Sequence, residues 1–98
     1  MKIIAVTQDQ LIIKDGVPEK VFSVGGFFMR TGEWSVSFDT EKGTGEVEFL
    51  DSRENQVLTP EVYLQKYSWL SDLHQEVIDL REYKAAEKKR IAEEQAAI

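Results

Sequence analysis

The chain contains no cysteine, and this absence excludes several kinds of chemistry at once. A disulfide framework, a thiol nucleophile and a cysteine-bound zinc or iron–sulfur site all require that residue. The single histidine, His74, has acidic neighbours at Asp72 and Glu76, but residues two apart on a helix point about 200° away from each other. We therefore expect His74 to be a surface or half-buried structural residue, not a base or a metal ligand.

Long apolar runs are also missing. The apolar run near the N-terminus covers only residues 3–6, which is too short for the core of a signal peptide or for a membrane-spanning helix. The sequence therefore predicts a cytoplasmic protein that has no membrane partner.

Positive charge is in short supply, because 12 lysines and arginines face 18 aspartates and glutamates, for a formal net charge of -6. The basic cluster at residues 88–90 is flanked by Glu87, Glu93 and Glu94. A nucleic-acid-binding protein normally presents a basic patch. We therefore predict no direct binding to nucleic acid and interpret the cluster as a solvated helix face.

No segment carries a catalytic signature. The sequence Gly43-Thr44-Gly45 is not followed by the Gly-Lys-Ser/Thr of a phosphate loop, and a hairpin tip explains it better. In the acidic stretch 39–54, Thr44 stands where an EF-hand needs its turn glycine, and Leu50 stands where it needs a bidentate glutamate. The prediction is a non-enzymatic protein without cofactor or metal, with a weak cation site outside any known motif as the minor alternative.

The first 58 residues have the pattern of short strands separated by turns. Apolar and polar residues alternate, and Asp15-Gly16 and Gly25-Gly26 are two-residue hairpin signals. The predicted strands cover residues 2–6, 11–14, 21–24, 27–30, 33–38 and 46–50. Together they predict an α+β fold whose sheet is an antiparallel β-meander of about five to six short strands within residues 2–50.

Alternation also predicts which side chains face the core. In the strand 33–38, one face carries Trp34, Val36 and Phe38, and the solvent face carries Glu33, Ser35 and Ser37. Pro18 cannot donate to a strand ladder. Residues 17–20 are therefore expected to be a strand start, a bulge or an edge.

A long helix is predicted for the second part of the chain, which has no glycine and no proline other than Pro60. Thr59 is a suitable N-cap, Pro60 suits the first helical position, and Glu61 favours the helix dipole. An apolar arc follows on one side of the helix and should pack on the sheet. Its members are Val62, Trp69, Leu70, Leu73, Val77 and Leu80.

A single helix over residues 60–98 is the favoured form, and a bend near 68–71 is the alternative, because Ser68 and Ser71 could restart the helix there. An unbroken helix would be about 58 Å long, which is more than a small sheet can cover. The sequence thus predicts one domain over residues 1–80 and a projecting helical tail over residues 81–98.

The leading hypothesis for function is protein–protein interaction through this tail. Ile91 and Ile98 continue the heptad spacing of Leu70 and Val77, and together with Tyr83 they are the predicted partner-binding residues. The partner would be a second copy of the chain or another protein, as in a bacterial or bacteriophage accessory or assembly protein. A frayed, solvated helix end is the alternative.

A second hypothesis assigns binding to the acidic hairpin at residues 39–54. The chain would then act as a small inhibitor or adaptor that docks on a basic protein surface. The predicted contact residues are Asp39, Glu41, Glu46, Glu48 and Asp51. An ordinary soluble hairpin is the simpler explanation of the same residues.

Overall fold

The computed structural model describes residues 1–96, and Ile98 of the predicted tail lies outside them. Within that range the chain forms six strands, one short 3-10 turn and two α-helices. The strands are β1 Lys2–Val6, β2 Leu11–Lys14, β3 Val17–Lys20, β4 Glu33–Asp39, β5 Thr44–Phe49 and β6 Gln56–Leu58, and the helices are α1 Pro60–Lys66 and α2 Trp69–Ala96. The predicted α+β class, an antiparallel sheet with a long C-terminal helix, is confirmed.

The strands form one antiparallel sheet in the spatial order β3-β2-β1-β4-β5-β6. Short turns join β1 to β2 and β2 to β3, and residues 21–32 then return the chain so that β4 pairs with β1. The connectivity therefore departs from a simple meander at this one step. Pro18 lies on the edge strand β3, where a residue without an N–H group interrupts no interior ladder.

Two of the predicted strands, over residues 21–24 and 27–30, are wrong. Phe22–Val24 is a 3-10 turn, and the third strand lies instead at Val17–Lys20. The side chain of Gln10 holds the segment that follows, because its Nε2 donates to the Phe27 carbonyl oxygen at 3.0 Å and its Oε1 accepts from the Phe27 N–H at 2.7 Å. A side chain thus satisfies backbone groups that a neighbouring strand would otherwise bind.

The face prediction for β4 is correct at Val36 and Phe38 and inverted at the start of the strand. The register with β5 is irregular between Glu33 and Ser35. Glu33 is consequently buried, with 4% of its surface exposed, whereas Trp34 is 38% exposed. Such a bulge shifts the alternation of side chains by one position, which corrects the predicted positions of both residues.

The start of the first helix agrees with its predicted cap. The Thr59 hydroxyl accepts a hydrogen bond from the Val62 N–H at 3.3 Å, and Pro60 occupies the first turn. Thr59 thereby satisfies one of the N–H groups that have no partner within the helix, and Pro60 has no N–H group that would need one.

The favoured single helix is wrong, and the alternative of a break near Ser68 is correct. Two side chains satisfy backbone carbonyl groups at the break. The Ser68 hydroxyl donates to the Leu64 carbonyl oxygen at 2.9 Å, and the Trp69 indole N–H donates to that of Lys66 at 2.6 Å. Because side chains take over these acceptors, the helical ladder can stop and restart without leaving them unpaired.

The core lies between one face of the sheet and the two helices. The Phe38 and Tyr63 rings stack there with their centroids 4.5 Å apart. Leu70 and Val77 of α2 are buried in the same cluster, so the predicted apolar arc does face the sheet. The sheet residues of this core are Ile3, Ala5, Ile12, Val36, Phe38, Val47 and Leu58. The opposite face carries Ile4, Val6, Leu11 and Ile13, which stay partly exposed.

Candidate functional site

The second half of α2 is largely exposed. The buried residues of this helix end at Val77, and every residue from Glu82 to Ala96 except Glu87 is exposed. The described chain measures 63 × 28 × 20 Å with a radius of gyration of 17.2 Å, against about 13 Å for a compact domain of 100 residues. A helix of 28 residues is about 42 Å long, so α2 accounts for much of the elongation.

The structure places two of the three predicted tail residues on a common surface. Tyr83 is 66% exposed and Ile91 is 42% exposed. Eight helical positions separate them, which corresponds to a rotation of about 80°. Both residues line one shallow depression of about 270 Å³, together with Lys84, Glu87 and Lys88. We call these five residues the tail surface.

The charged residues near the tail surface are partly paired within the helix. Arg90 contacts Glu87 one turn earlier and binds the Glu94 carboxylate at 2.7 Å one turn later. Such exposed pairs contribute only about 0.3–0.5 kcal/mol each to helix stability. Their main effect here is to neutralise part of the basic cluster at residues 88–90.

Four of the five acidic hairpin residues already have hydrogen-bond partners inside the chain: Glu48, Glu46, which accepts from the Asn55 side-chain amide at 2.9 Å, and the two aspartates. The Asp39 carboxylate accepts from the backbone N–H groups of Lys42 and Glu41, and these bonds lower its pKa. The Asp51 carboxylate binds the Arg53 side chain at 2.8 Å, which lowers the pKa of Asp51. These two carboxylates therefore stabilise turns.

Glu46 and Glu48 project from β5 on the partly exposed face of the sheet. They lie opposite Ser37 and Ser35 of β4, and the Ser35 hydroxyl donates to the Glu48 carboxylate at 3.3 Å. Glu41 is exposed in the turn between β4 and β5. The five predicted residues thus do not form one set of free charges. Among them, Glu46 and Glu48 lie two positions apart on the same face of β5.

A cleft that the sequence did not indicate lies where β4 and the segment before it meet the junction of α1 and α2. It has a volume of about 400 Å³, and its lining includes Phe28, Arg30, Glu33, Lys66, Tyr67 and Trp69. The Trp69 ring packs against Phe27 with a centroid distance of 5.9 Å. No periodic pattern could have revealed this cleft, because its residues come from two stretches that are far apart in the chain, 28–33 and 66–69, and Glu33 reaches it only through the bulge.

Glu33 is the unusual group of this cleft. Its Oε1 atom is buried and has no hydrogen-bond partner among the described residues. Burial raises the pKa of Glu33, and a hydrogen bond from its own backbone and the charges of Lys66 and Arg53 oppose that rise. A buried carboxylate that lacks one of its partners is costly, so its retention at this position calls for an explanation.

His74 is fully inside the protein, not on the surface or half-buried as predicted. Its Nε2 lies 2.8 Å from the Val17 carbonyl oxygen on the edge strand β3. Nearby, the Arg81 guanidinium binds the Glu19 carboxylate of the same strand, and this bond lowers the pKa of Glu19. Both contacts attach β3 to α2, which is a structural arrangement.

The described residues offer few other starting points for chemistry. Between residues 1 and 96, no group of three or more histidine, aspartate or glutamate side chains could hold a metal ion. Neither helix, over the part that the structure describes, is long and apolar enough to cross a membrane. Comparison of the chain with protein-family models, curated proteins and solved structures gave no match.

Proposed function

We propose that this chain is a non-enzymatic protein–protein interaction module whose recognition element is the tail surface on α2. The supporting observation is that Tyr83 and Ile91 lie exposed on one side of a helix whose buried residues end at Val77. Exposed aromatic and aliphatic residues at helical spacing are typical of helix-in-groove and coiled-coil contacts.

A partner bound at the tail surface would also stabilise the second half of α2. Helical segments without tertiary contacts are marginally stable in water, and residues 82–96 have almost no buried surface in their own domain. Binding would remove Tyr83 and Ile91 from water and support the helix at the same time. The occupant is a second copy of the chain or a groove on another protein.

The test is the molar mass of the purified chain, measured by size-exclusion chromatography with light scattering at several concentrations. We expect a concentration-dependent increase in mass that the double variant Tyr83→Glu, Ile91→Glu abolishes. Its melting temperature should stay nearly unchanged, because exposed substitutions usually alter stability by less than about 0.5 kcal/mol.

A matched control adds the same two charges to α2 outside the tail surface. Ala85→Glu with Ala92→Glu should associate as the wild-type chain does, since these exposed positions lie outside the tail surface. Association that survives the Tyr83 and Ile91 substitutions would contradict the proposal. If the wild-type chain stays monomeric, the proposed partner is another protein. The amount of that protein captured by the wild type and by each of the two double variants is then compared.

The acidic hairpin remains the second candidate, now centred on Glu46 and Glu48. Their position on the partly exposed sheet face favours contact with a basic protein surface. If this surface binds the partner, Glu46→Lys with Glu48→Lys should weaken binding at least tenfold, and binding should fall steeply with salt. The tail double variant should then bind normally, and the reverse pattern would reject the hairpin.

A further inference from the structure

The cleft around Glu33 combines a buried acceptor with an exposed basic rim. Glu33 contributes a carboxylate whose Oε1 has no partner in the described chain. Lys66 and Arg30 also line the cleft, and both are exposed residues. A ligand that fits must therefore donate a hydrogen bond to Glu33 inside the cleft. It must also place a negatively charged group near Lys66 and Arg30 at the rim.

Aromatic side chains supply the apolar part of the same cleft. Trp69 is held in position, since its indole N–H is bound to the Lys66 carbonyl oxygen and its ring packs on Phe27. Phe28 is 78% exposed, and Tyr67 is buried. An exposed phenylalanine beside a fixed indole offers a surface on which an apolar or aromatic side chain can pack.

We propose that this cleft binds a small zwitterion of the α-amino acid class with an apolar side chain. The ligand's ammonium group donates to Glu33, its carboxylate lies near Lys66 and Arg30, and its side chain packs on Trp69 and Phe28. The cleft volume of about 400 Å³ lies within the range of small-molecule sites, about 300–1,000 Å³.

Simpler ligands satisfy only part of this arrangement. A plain amine would pair with Glu33 and be repelled by the two rim cations, and a plain carboxylate would be attracted by the rim and repelled by Glu33. A neutral apolar molecule would leave Glu33 Oε1 unpaired in a still drier site, which is unfavourable. The zwitterion matches both charges.

The experiment titrates the full chain with L-phenylalanine, phenethylamine and 3-phenylpropanoate by isothermal calorimetry, with Trp69 fluorescence as a second readout in the Trp34→Phe background. We expect L-phenylalanine to bind at micromolar to millimolar concentrations and each analogue, which lacks one charge, to bind at least tenfold more weakly. Absence of L-phenylalanine binding, or equal binding of either analogue, overturns the proposal.

Two variants test the assigned roles. Glu33→Gln should weaken binding of L-phenylalanine by about tenfold to a hundredfold, because the ligand's ammonium group then meets a neutral amide oxygen and the ion pair with the carboxylate is lost. Glu93→Gln, an exposed position near the end of α2 and outside the cleft, is its control and should bind as the wild type does. Unaltered binding by Glu33→Gln would show that the carboxylate is not used.

Lys66→Met keeps the test decisive if Glu33→Gln perturbs the fold. Lys66 is exposed, so its loss should not affect folding, and we expect binding of L-phenylalanine to fall at least fivefold while binding of phenethylamine improves. Lys89→Met, at an exposed position of α2 outside the cleft and the tail surface, should change neither. The same affinity change for both ligands would contradict a zwitterion-specific site.

Discussion

Replacement of Leu70 by alanine is expected to lower the free energy of unfolding by about 2–5 kcal/mol. Leu70 has no exposed surface and belongs to the core cluster between α2 and the sheet. Truncation removes buried apolar contacts and leaves a cavity that the surrounding sheet cannot fully close. Domains of this size are stable by only about 5–15 kcal/mol, so the melting temperature should fall by roughly 10 °C or more.

Leu64 on α1 provides a matched control for this prediction, because it is a helical leucine that is 66% exposed. Leu64→Ala should change stability by less than about 0.5 kcal/mol. Urea unfolding followed by circular dichroism would measure both variants. Equal losses of stability in the two variants would contradict the conclusion that Leu70 lies in the core and Leu64 on the surface.

Replacement of Gly45 by alanine is expected to cost about 3 kcal/mol, at the upper end of overpacking effects. Gly45 lies in β5 opposite Phe38. An added Cβ would stand 1.9 Å from the Ser37 carbonyl oxygen and 2.7 Å from the Phe38 Cα. Because both are backbone atoms of a paired strand, relief of the clash requires β4 and β5 to move apart.

Gly16→Ala is the comparison that separates this clash from ordinary backbone strain. Gly16 has φ +81 and nothing within 4 Å of an added Cβ, so its substitution should cost only the left-handed conformation, about 1–2 kcal/mol. Hydrogen exchange should show lost amide protection along β4 and β5 in Gly45→Ala and not in Gly16→Ala. Retained protection in both would refute the proposed clash.

Gly45 also illustrates how a local interpretation can fail. The sequence pattern placed Gly43, Thr44 and Gly45 together in a hairpin tip, but the turn ends at Gly43, which has φ +67, and β5 begins at Thr44. Glycine is needed at position 45 for close approach of two backbones. Only the pairing partner reveals that need.

The correct predictions concern features with local causes. β1 and β2 have their predicted bounds, because apolar and β-branched residues between turn signals suffice to specify a short strand. The N-terminus of α1 was predictable because a capping threonine followed by proline acts within one helical turn. The exposure of Tyr83 and Ile91 on α2 is an observation, whereas their contact with a partner stays a prediction.

The errors concern features with distant causes. The third strand was expected at residues 21–24, and residues 17–20 only as a strand start, a bulge or an edge; pairing with β2 makes residues 17–20 the edge strand β3. The segment at Phe27 is held by the side chain of Gln10, 17 positions earlier. The position of Glu33 depends on the register between β4 and β5, which short-range alternation does not contain.

By itself the sequence determined the α+β class, the start of the helical part and the exposed apolar spacing of the tail, since each depends on the chemistry of residues within a few positions of one another. The tertiary structure alone decided the order of the strands, the burial of Glu33 and its meeting with Lys66 and Trp69 in one cleft. These features arise when segments far apart in the chain are packed together, and the free energy that selects such packing belongs to the whole core.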